Sequence, residues 1–463
     1  MQLLISLFSF LVLGNVNAEE ESTLAEATIP ASKPLLSEND EGYKTLEVIQ
    51  QKFYTQNPAY RHKVDYDEMV SFLDQLSQEI VAEDISKEMI AMFSDRVSTK
   101  YEMPGVHFML KGYYDDVQAA ASSIGYEAIP EPILGSLPIK KINVIVGKNQ
   151  DDGRSMILFN IRFFEFAYEI AKVVAKTIVM REEGQYVVID SSEEAFYRAL
   201  ENNPEILHDY LLVILEFLEL GSRERIKPDA DRLIVLSLYH RGIEMFAMAH
   251  EIGHVLMEHD GKVNALEPSA LDGVSVILGM ESSATANWLQ ELEADYVAAQ
   301  IMIELSKGDI SNNRFIDVGL RETPEFYFIT REIYEDLSLL LSTGKQYRQP
   351  GAGEETFINF AVDAVDMDST DGFPESFSQK FTVVKHANVH PHPTIRRQFW
   401  EEITDIPTNN AEQEAILAIT DIMNRNAILL WERIRPVIVE NREEIIKLLS
   451  ESKKHPSTET PDQ

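Results

Sequence analysis

The sequence predicts an α+β fold that is mostly helical, with a small β-sheet and a helical N-terminal extension. Apolar residues recur at three- and four-residue steps through most of the chain, as they do from Met69 to Leu76, and this spacing is typical of helices that pack one face on a core. The stretch Ile139–Asn160 differs, because two apolar runs flank the turn-forming residues 149–153. With 463 residues, of which 44% are hydrophobic, the chain can bury a large core.

The first 42 residues have the pattern of an export signal followed by a linker. Leu3–Gly14 is an apolar run too short to span a bilayer, and residues 16–18 (Val-Asn-Ala) are small enough for a cleavage site. We therefore expect residues 1–18 to be a signal peptide, and the product to be periplasmic or secreted; retention of this segment would make the protein cytoplasmic. Residues 19–42, rich in Glu, Ser, Pro and Ala, predict a disordered linker.

Changes in periodicity and clusters of proline divide the rest of the chain. The prolines from Pro130 to Pro138 mark the end of a helical N-terminal region, and two strands are predicted after them, at 142–144 and 156–160. These signals predict a helical N-terminal region at 43–137 and a main domain at 138–405. A C-terminal helical region is predicted at 406–452 and a polar tail at 453–463.

The segment 250–254, His-Glu-Ile-Gly-His, is the strongest functional signal. Apolar residues at helical spacing surround it, so His250 and His254 should lie one turn apart on the same helix face. Two neutral imidazoles placed in this way can hold zinc, and Glu251 can take the proton of a metal-activated water. A chance HExxH without metal is the alternative interpretation.

A second predicted helix, residues 288–299, carries Glu291 and Asp295 on one face. Catalytic zinc with two histidine ligands needs a third protein ligand and leaves its fourth position to water. Glu291 is the candidate ligand, and Asp295 is the candidate acceptor for the second ring N–H of a ligating histidine. Without the first motif, an exposed acidic helix would be the simpler interpretation.

HExxH followed by E-x-x-A-D at 291–295 resembles the gluzincin metallopeptidases, most closely the family of the Ste24 and HtpX proteases and their soluble periplasmic relatives. Three further stretches are similar to this family: the helix 250–259, the strand pair at 142–144 and 156–160, and the H-P-x-x-x-x-R pattern of residues 390–396. The resemblance covers about residues 138–400.

Two features depart from the family pattern. The family usually has glycine just after the edge strand, where this chain has Ile161-Arg162-Phe163. About 90 residues separate that strand from the HExxH helix, far more than a compact member uses. The subfamily is therefore not specified by the motifs.

The resemblance implies a zincin-like core that cleaves polypeptides, with one zinc ion per chain held by His250, His254 and Glu291 and with Glu251 as general base. It also implies that an extended substrate pairs with the sheet edge at Met156–Asn160.

The role of the His-Pro-His-Pro segment is open between two interpretations. His390, or else His392, would donate to the oxyanion of the tetrahedral intermediate. Alternatively, these proline-flanked histidines form a rigid loop beside the site, with Arg396 or Arg397 paired to an acidic neighbour.

Composition excludes several other classes of function. A net charge of −36 and a pI near 4.6 argue against nucleic acid and anionic membrane surfaces as partners. The absence of cysteine excludes a disulfide framework, a thiolate zinc finger and a cysteine nucleophile. No segment after the N-terminus predicts a membrane span. Two alternatives stay open: a non-catalytic zinc-binding chaperone or sensor on the same fold, and a cytosolic protease of the repressor-cleaving type.

Overall fold

A computed structural model describes residues 35–56, 98–102, 104–137, 145–149, 151–183, 186–217, 226, 232–260, 286–307, 319–343, 381–383, 393–404 and 411–447. Within these ranges the chain is mostly helical with a small sheet, which confirms the predicted α+β class. The predicted signal peptide and polar tail lie outside the described residues. None of the described helices is long and apolar enough to cross a membrane.

The elements, numbered in chain order, are α1 (Leu36–Asn39), α2 (Glu41–Gln56), α3 (Pro104–Ser123), β1 (Ile133–Leu137), β2 (Ile145–Asn149), β3 (Ser155–Asn160), α4 (Ile161–Ala175), β4 (Val179–Glu183), β5 (Tyr186–Asp190), α5 (Glu193–Asn202), α6 (Glu205–Phe217), α7 (Leu233–Asp260), α8 (Ala286–Leu305), α9 (Thr323–Thr343), β6 (Phe381–Val383), α10 (Pro393–Thr404) and α11 (Ala411–Glu440). The chain divides into two compact units. The first comprises residues 1–161, 247–262 and 368–387, and the second comprises 162–246, 263–367 and 388–463.

The first unit contains a four-stranded sheet in the order β1-β3-β2-β6. β1 and β3 are parallel, whereas β2 runs antiparallel to both β3 and β6. The predicted turn between β2 and β3 is confirmed: the Asn149 N–H donates to the Arg154 carbonyl at 2.8 Å, and Gly153 has a φ of +75°, which favours glycine.

Helix α2 packs on this sheet through one apolar face. Its buried residues form a cluster with side chains of β1 and β3: Tyr43, Leu46, Ile49, Phe53, Tyr54, Ile133, Leu137, Met156 and Leu158. The approach is closest at Gly135, where an added Cβ would lie 2.7 Å from a methyl group of Leu46. Glycine at this point of β1 therefore lets the helix sit against the strand.

The sheet order corrects the prediction of a substrate-binding edge at Met156–Asn160. Residues 156–158 of β3 are paired with β1 on one side and with β2 on the other, so no added strand can pair along this part of it. The outer edge of β1 is also occupied at Ser136, whose N–H donates to the Glu102 carboxylate at 2.7 Å and whose carbonyl accepts from the Gln50 amide at 3.0 Å.

The structure differs from two further predictions about this unit. Helical structure begins inside the predicted linker 19–42, because α1 and the start of α2 fall within it, and the Asp40 carboxylate accepts from the N–H groups of Gly42 and Tyr43 at the start of α2. The observed strand β1 lies where a boundary was predicted. All five of its residues are buried, so it lacks the apolar–polar alternation by which a strand is recognised. The predicted strand 142–144 lies outside the described residues.

The second unit is built mainly of packed helices. Phe246 of α7 has edge-to-face contacts with Tyr327 and Phe328 of α9 and with Trp400 of α10, at centroid distances of 5.0–5.3 Å. At Gly242 an added Cβ would lie 1.9 Å from the Thr323 hydroxyl oxygen, so only glycine admits α9 this close to α7.

The second unit also contains a two-stranded hairpin, β4–β5, in a region for which helical periodicity dominates the prediction. The run Tyr186–Ile189 has β-branched and aromatic residues, which favour strands over helices. Helix α11 lies within the C-terminal helical region predicted at 406–452.

Candidate metal centre

The two histidines of the HExxH segment lie on α7, a helix of 28 residues. His250 and His254 are one turn apart, and their Nε2 atoms approach to 3.1 Å, with the ring planes at 86°. Both side chains are buried, at 7% and 5% exposure, and Glu251 is 7% exposed. The prediction that His250 and His254 lie one turn apart on the same helix face is therefore confirmed.

Glu291 of α8 completes a group of three potential metal ligands. One ligand atom from each of His250, His254 and Glu291 lies within 4.8 Å of the others, and all three side chains are buried. No other group of this kind occurs among the residues that the structure describes. These are the three residues that the sequence analysis named as candidate metal ligands.

The donor set fits a catalytic zinc ion. Two zinc-bound nitrogens at about 2.05 Å from a tetrahedral ion are separated by about 3.3 Å, close to the 3.1 Å between the histidine Nε2 atoms. Two imidazoles and one carboxylate are a set that holds zinc with one coordination position left for water. The group can therefore bind a metal ion by its chemistry as well as by its spacing.

Arg396 of α10 makes a buried double hydrogen bond with Asp295 of α8. Its Nε and Nη2 donate to the two Asp295 carboxylate oxygens at 2.7 and 2.6 Å. Nη1 lies 3.6 Å from Oε2 of Glu291. The side chains of Arg396, Asp295 and Glu291 are 2%, 0% and 2% exposed, so these charges compensate one another away from water.

The guanidinium of Arg396 stays protonated although it is buried. Burial alone would lower its pKa, but the Asp295 carboxylate, followed by that of Glu291, outweighs this effect and raises the pKa above its ordinary value. The guanidinium carbon also lies 5.2 Å from the ring centroid of Phe328. A permanent positive charge is thereby fixed against the helix that carries the third candidate ligand.

The pairing of Arg396 with an acidic neighbour, which was one part of the second interpretation of the His-Pro-His-Pro segment, is confirmed. The predicted hydrogen bond from a ligating histidine to Asp295 stays a prediction. His390 and His392 lie outside the described residues, so their role also stays a prediction.

Sequence reasoning missed two residues that surround Arg396. Tyr327 and Arg331, four residues apart on α9, both interact electrostatically with Arg396. Burial lowers the pKa of Arg331, but Tyr327 and Glu335 raise it by a larger amount. An i, i+4 pair of this kind has no distinctive spacing, and only the fold brings it to Arg396.

We expect Arg396→Met to lower the free energy of unfolding by about 3–5 kcal/mol, because it leaves the buried Asp295 and Glu291 carboxylates without their cation. Urea unfolding measures this loss. Arg198→Met is the matched control: Arg198 also donates to a carboxylate, Asp190, at 2.7 Å, but its side chain is 53% exposed. The control should cost about 1 kcal/mol or less. Equal costs for the two variants would contradict a strong buried ion pair.

Searches with the whole chain gave no match to any protein-family model, to any curated protein or to any solved structure.

Proposed function

We propose that this protein is a zinc-dependent metalloendopeptidase with a gluzincin-like core. The observation that carries the proposal is the buried group of His250, His254 and Glu291, with Glu251 next to the first histidine on the same helix. A structural zinc site is normally closed by four protein ligands, whereas three ligands are typical of a catalytic site. A carboxylate beside the site has a use in hydrolysis and none in simple metal retention.

In this proposal His250, His254 and Glu291 hold one zinc ion per chain. A zinc ion bound there supplies a Lewis acid that lowers the pKa of a water molecule. Glu251 accepts a proton from the attacking water and then gives it to the leaving amine nitrogen, so the same carboxylate is first base and then acid. Asp295 and Arg396 act indirectly, by fixing the helix face from which Glu291 projects.

The oxyanion that develops on the substrate carbonyl needs a hydrogen-bond donor. Arg396 is a poor candidate because its guanidinium is already held by two carboxylates. His390 therefore remains the proposed donor, with His392 as the second choice.

The proposed substrate is a polypeptide in extended conformation. Because β3 is paired on both sides, backbone pairing with the substrate must use another part of the chain. Export to the periplasm or the medium is proposed from residues 1–18. The strongly acidic composition supports a protein substrate over nucleic acid.

Metal removal tests the proposal directly. We expect the purified chain to contain about one zinc ion per molecule and to cleave casein, and we expect cleavage to stop after chelation and to return when zinc is added back. Elemental analysis and a peptide-release assay measure the two properties on the same sample. Magnesium added to the chelated protein is the control, because a site with two imidazoles does not suit it.

The outcomes separate the alternatives. Zinc without cleavage of any polypeptide would favour the non-catalytic chaperone or sensor. Cleavage that persists after complete removal of the metal would refute the zinc mechanism.

A further inference from the structure

Three helices of the second unit bring carboxylates together in what we call the acidic junction: Glu325 of α9, Glu401 of α10 and Asp421 of α11. The Glu325 side chain is 24% exposed and faces both of the other carboxylates. Like charges from three helices therefore act on one another where these helices pack.

The cations at the acidic junction compensate this charge only weakly. Arg397 of α10 lies 3.8 Å from Oε1 of Glu325, longer than a hydrogen bond. Arg321 pairs with Glu322 instead. Arg425 interacts electrostatically with Asp421, and its hydrogen bonds go to the Ser191 carbonyl and to Asn426. Tyr239 of α7 also faces the junction, but it is a buried phenol and carries no compensating charge.

Asn424 of α11 is the direct partner of Glu325. Its amide nitrogen donates to Oε2 of Glu325 at 2.5 Å. Asn424 is 4% exposed, and its amide oxygen has no hydrogen-bond partner among the residues that the structure describes. An amide can exchange its oxygen and nitrogen by a half-turn, so Asn424 can accept from a protonated Glu325 as readily as it donates to an ionised one.

We propose that protonation of Glu325 stabilises the packing of α9, α10 and α11 at the acidic junction, and that its ionisation loosens α10. With a proton, its carboxyl group donates to the Asn424 amide oxygen, and α9, α10 and α11 pack without repulsion from this group. Without the proton, it repels Glu401 and Asp421 and loosens α10. Because α10 also carries Arg396, loosening it weakens the hold of Arg396 on Asp295 and Glu291. This effect acts on folding and helix packing and does not require protease activity.

The electrostatics of the junction give the direction of the effect. Burial is the largest cause and the Glu401 carboxylate the second, and together they raise the pKa of Glu325 from 4.5 to about 7. Between these values the folded protein holds a proton that the unfolded chain has released. The contribution of Glu325 to stability therefore falls as the pH rises from about 4.5 to about 7 and is constant above that.

Urea unfolding between pH 5 and pH 8 tests this effect of Glu325 protonation. The full chain is saturated with zinc, and the parent protein carries Glu251→Gln so that self-cleavage cannot interfere. Glu325→Gln imitates the protonated group. We expect the ratio of the parent's unfolding constant to that of the variant to rise at least about tenfold from pH 5 to pH 8. The candidate metal site is the same in both proteins, so any contribution it makes to the pH dependence cancels in this ratio.

Two further variants make the test decisive. Glu401→Gln removes a facing charge and should reduce the pH dependence of the parent, whereas Glu414→Gln, at an exposed position of α11, should leave it unchanged. Backbone amides of 393–404 should exchange faster in the parent than in Glu325→Gln at pH 8 and equally at pH 5. Parallel pH curves for parent and Glu325→Gln would overturn the proposal. If Glu325→Gln does not fold, an unaltered pH curve for Glu401→Gln would overturn it instead.

Discussion

Replacing Glu251 by glutamine is expected to lower turnover of a peptide substrate at least ~10²-fold, while the protein stays folded and keeps its zinc. Glutamine has the size and shape of glutamate but cannot accept a proton, so the change removes the general base and little else. Glu251 is 7% exposed, and a neutral side chain at such a position carries no cost of a buried charge. Steady-state kinetics and zinc analysis on the same preparation check both parts.

Glu244→Gln is the matched control for this variant. Glu244 lies on the same helix and is 8% exposed, but it is not one of the grouped ligands and is not their neighbour in sequence. It should therefore retain nearly full turnover. A Glu251→Gln variant that cleaved as fast as the wild type would refute the proposed mechanism and favour the non-catalytic zinc-binding alternative.

The part of the site that depends on local geometry was predictable from the sequence. His250 and His254 converge because residues four apart on any helix share a face, and the apolar residues around them make α7 a helix. The same rule places Glu291 and Asp295 together on α8. These predictions needed no knowledge of the tertiary structure.

The parts that depend on distant contacts were only partly predictable. The pairing of Arg396 with Asp295 joins residues 101 positions apart, and the sequence could only name an acidic neighbour. The place of β3 inside the sheet follows from its parallel pairing with β1, a strand that is buried along its whole length and has no alternating pattern. A single sequence does not say which strands lie at a sheet edge, so the predicted substrate edge was wrong.

The second large effect is expected at Glu291, the proposed third metal ligand. Glu291→Ala is expected to abolish cleavage and to reduce zinc retention, because it removes one of the three grouped ligands. Glu293→Ala is the matched control and should be nearly silent. Both residues are glutamates on α8, but Glu293 is only half-buried, and burial raises its pKa. Dialysis against a zinc chelator of graded strength, followed by activity measurements, compares the two variants directly.

Helix geometry explains why the two glutamates should differ. Residues four apart lie about 40° apart around a helix axis, whereas residues two apart lie about 200° apart. Glu291 therefore shares a face with Asp295, whose carboxylate is fixed by Arg396, and Glu293 points nearly the opposite way. Asp295→Ala should give an intermediate result, with metal affinity lowered roughly 10–100-fold, because it acts through its neighbours and not as a ligand. An inactive, metal-free Glu293→Ala beside an active Glu291→Ala would show that α8 presents a different face to the metal.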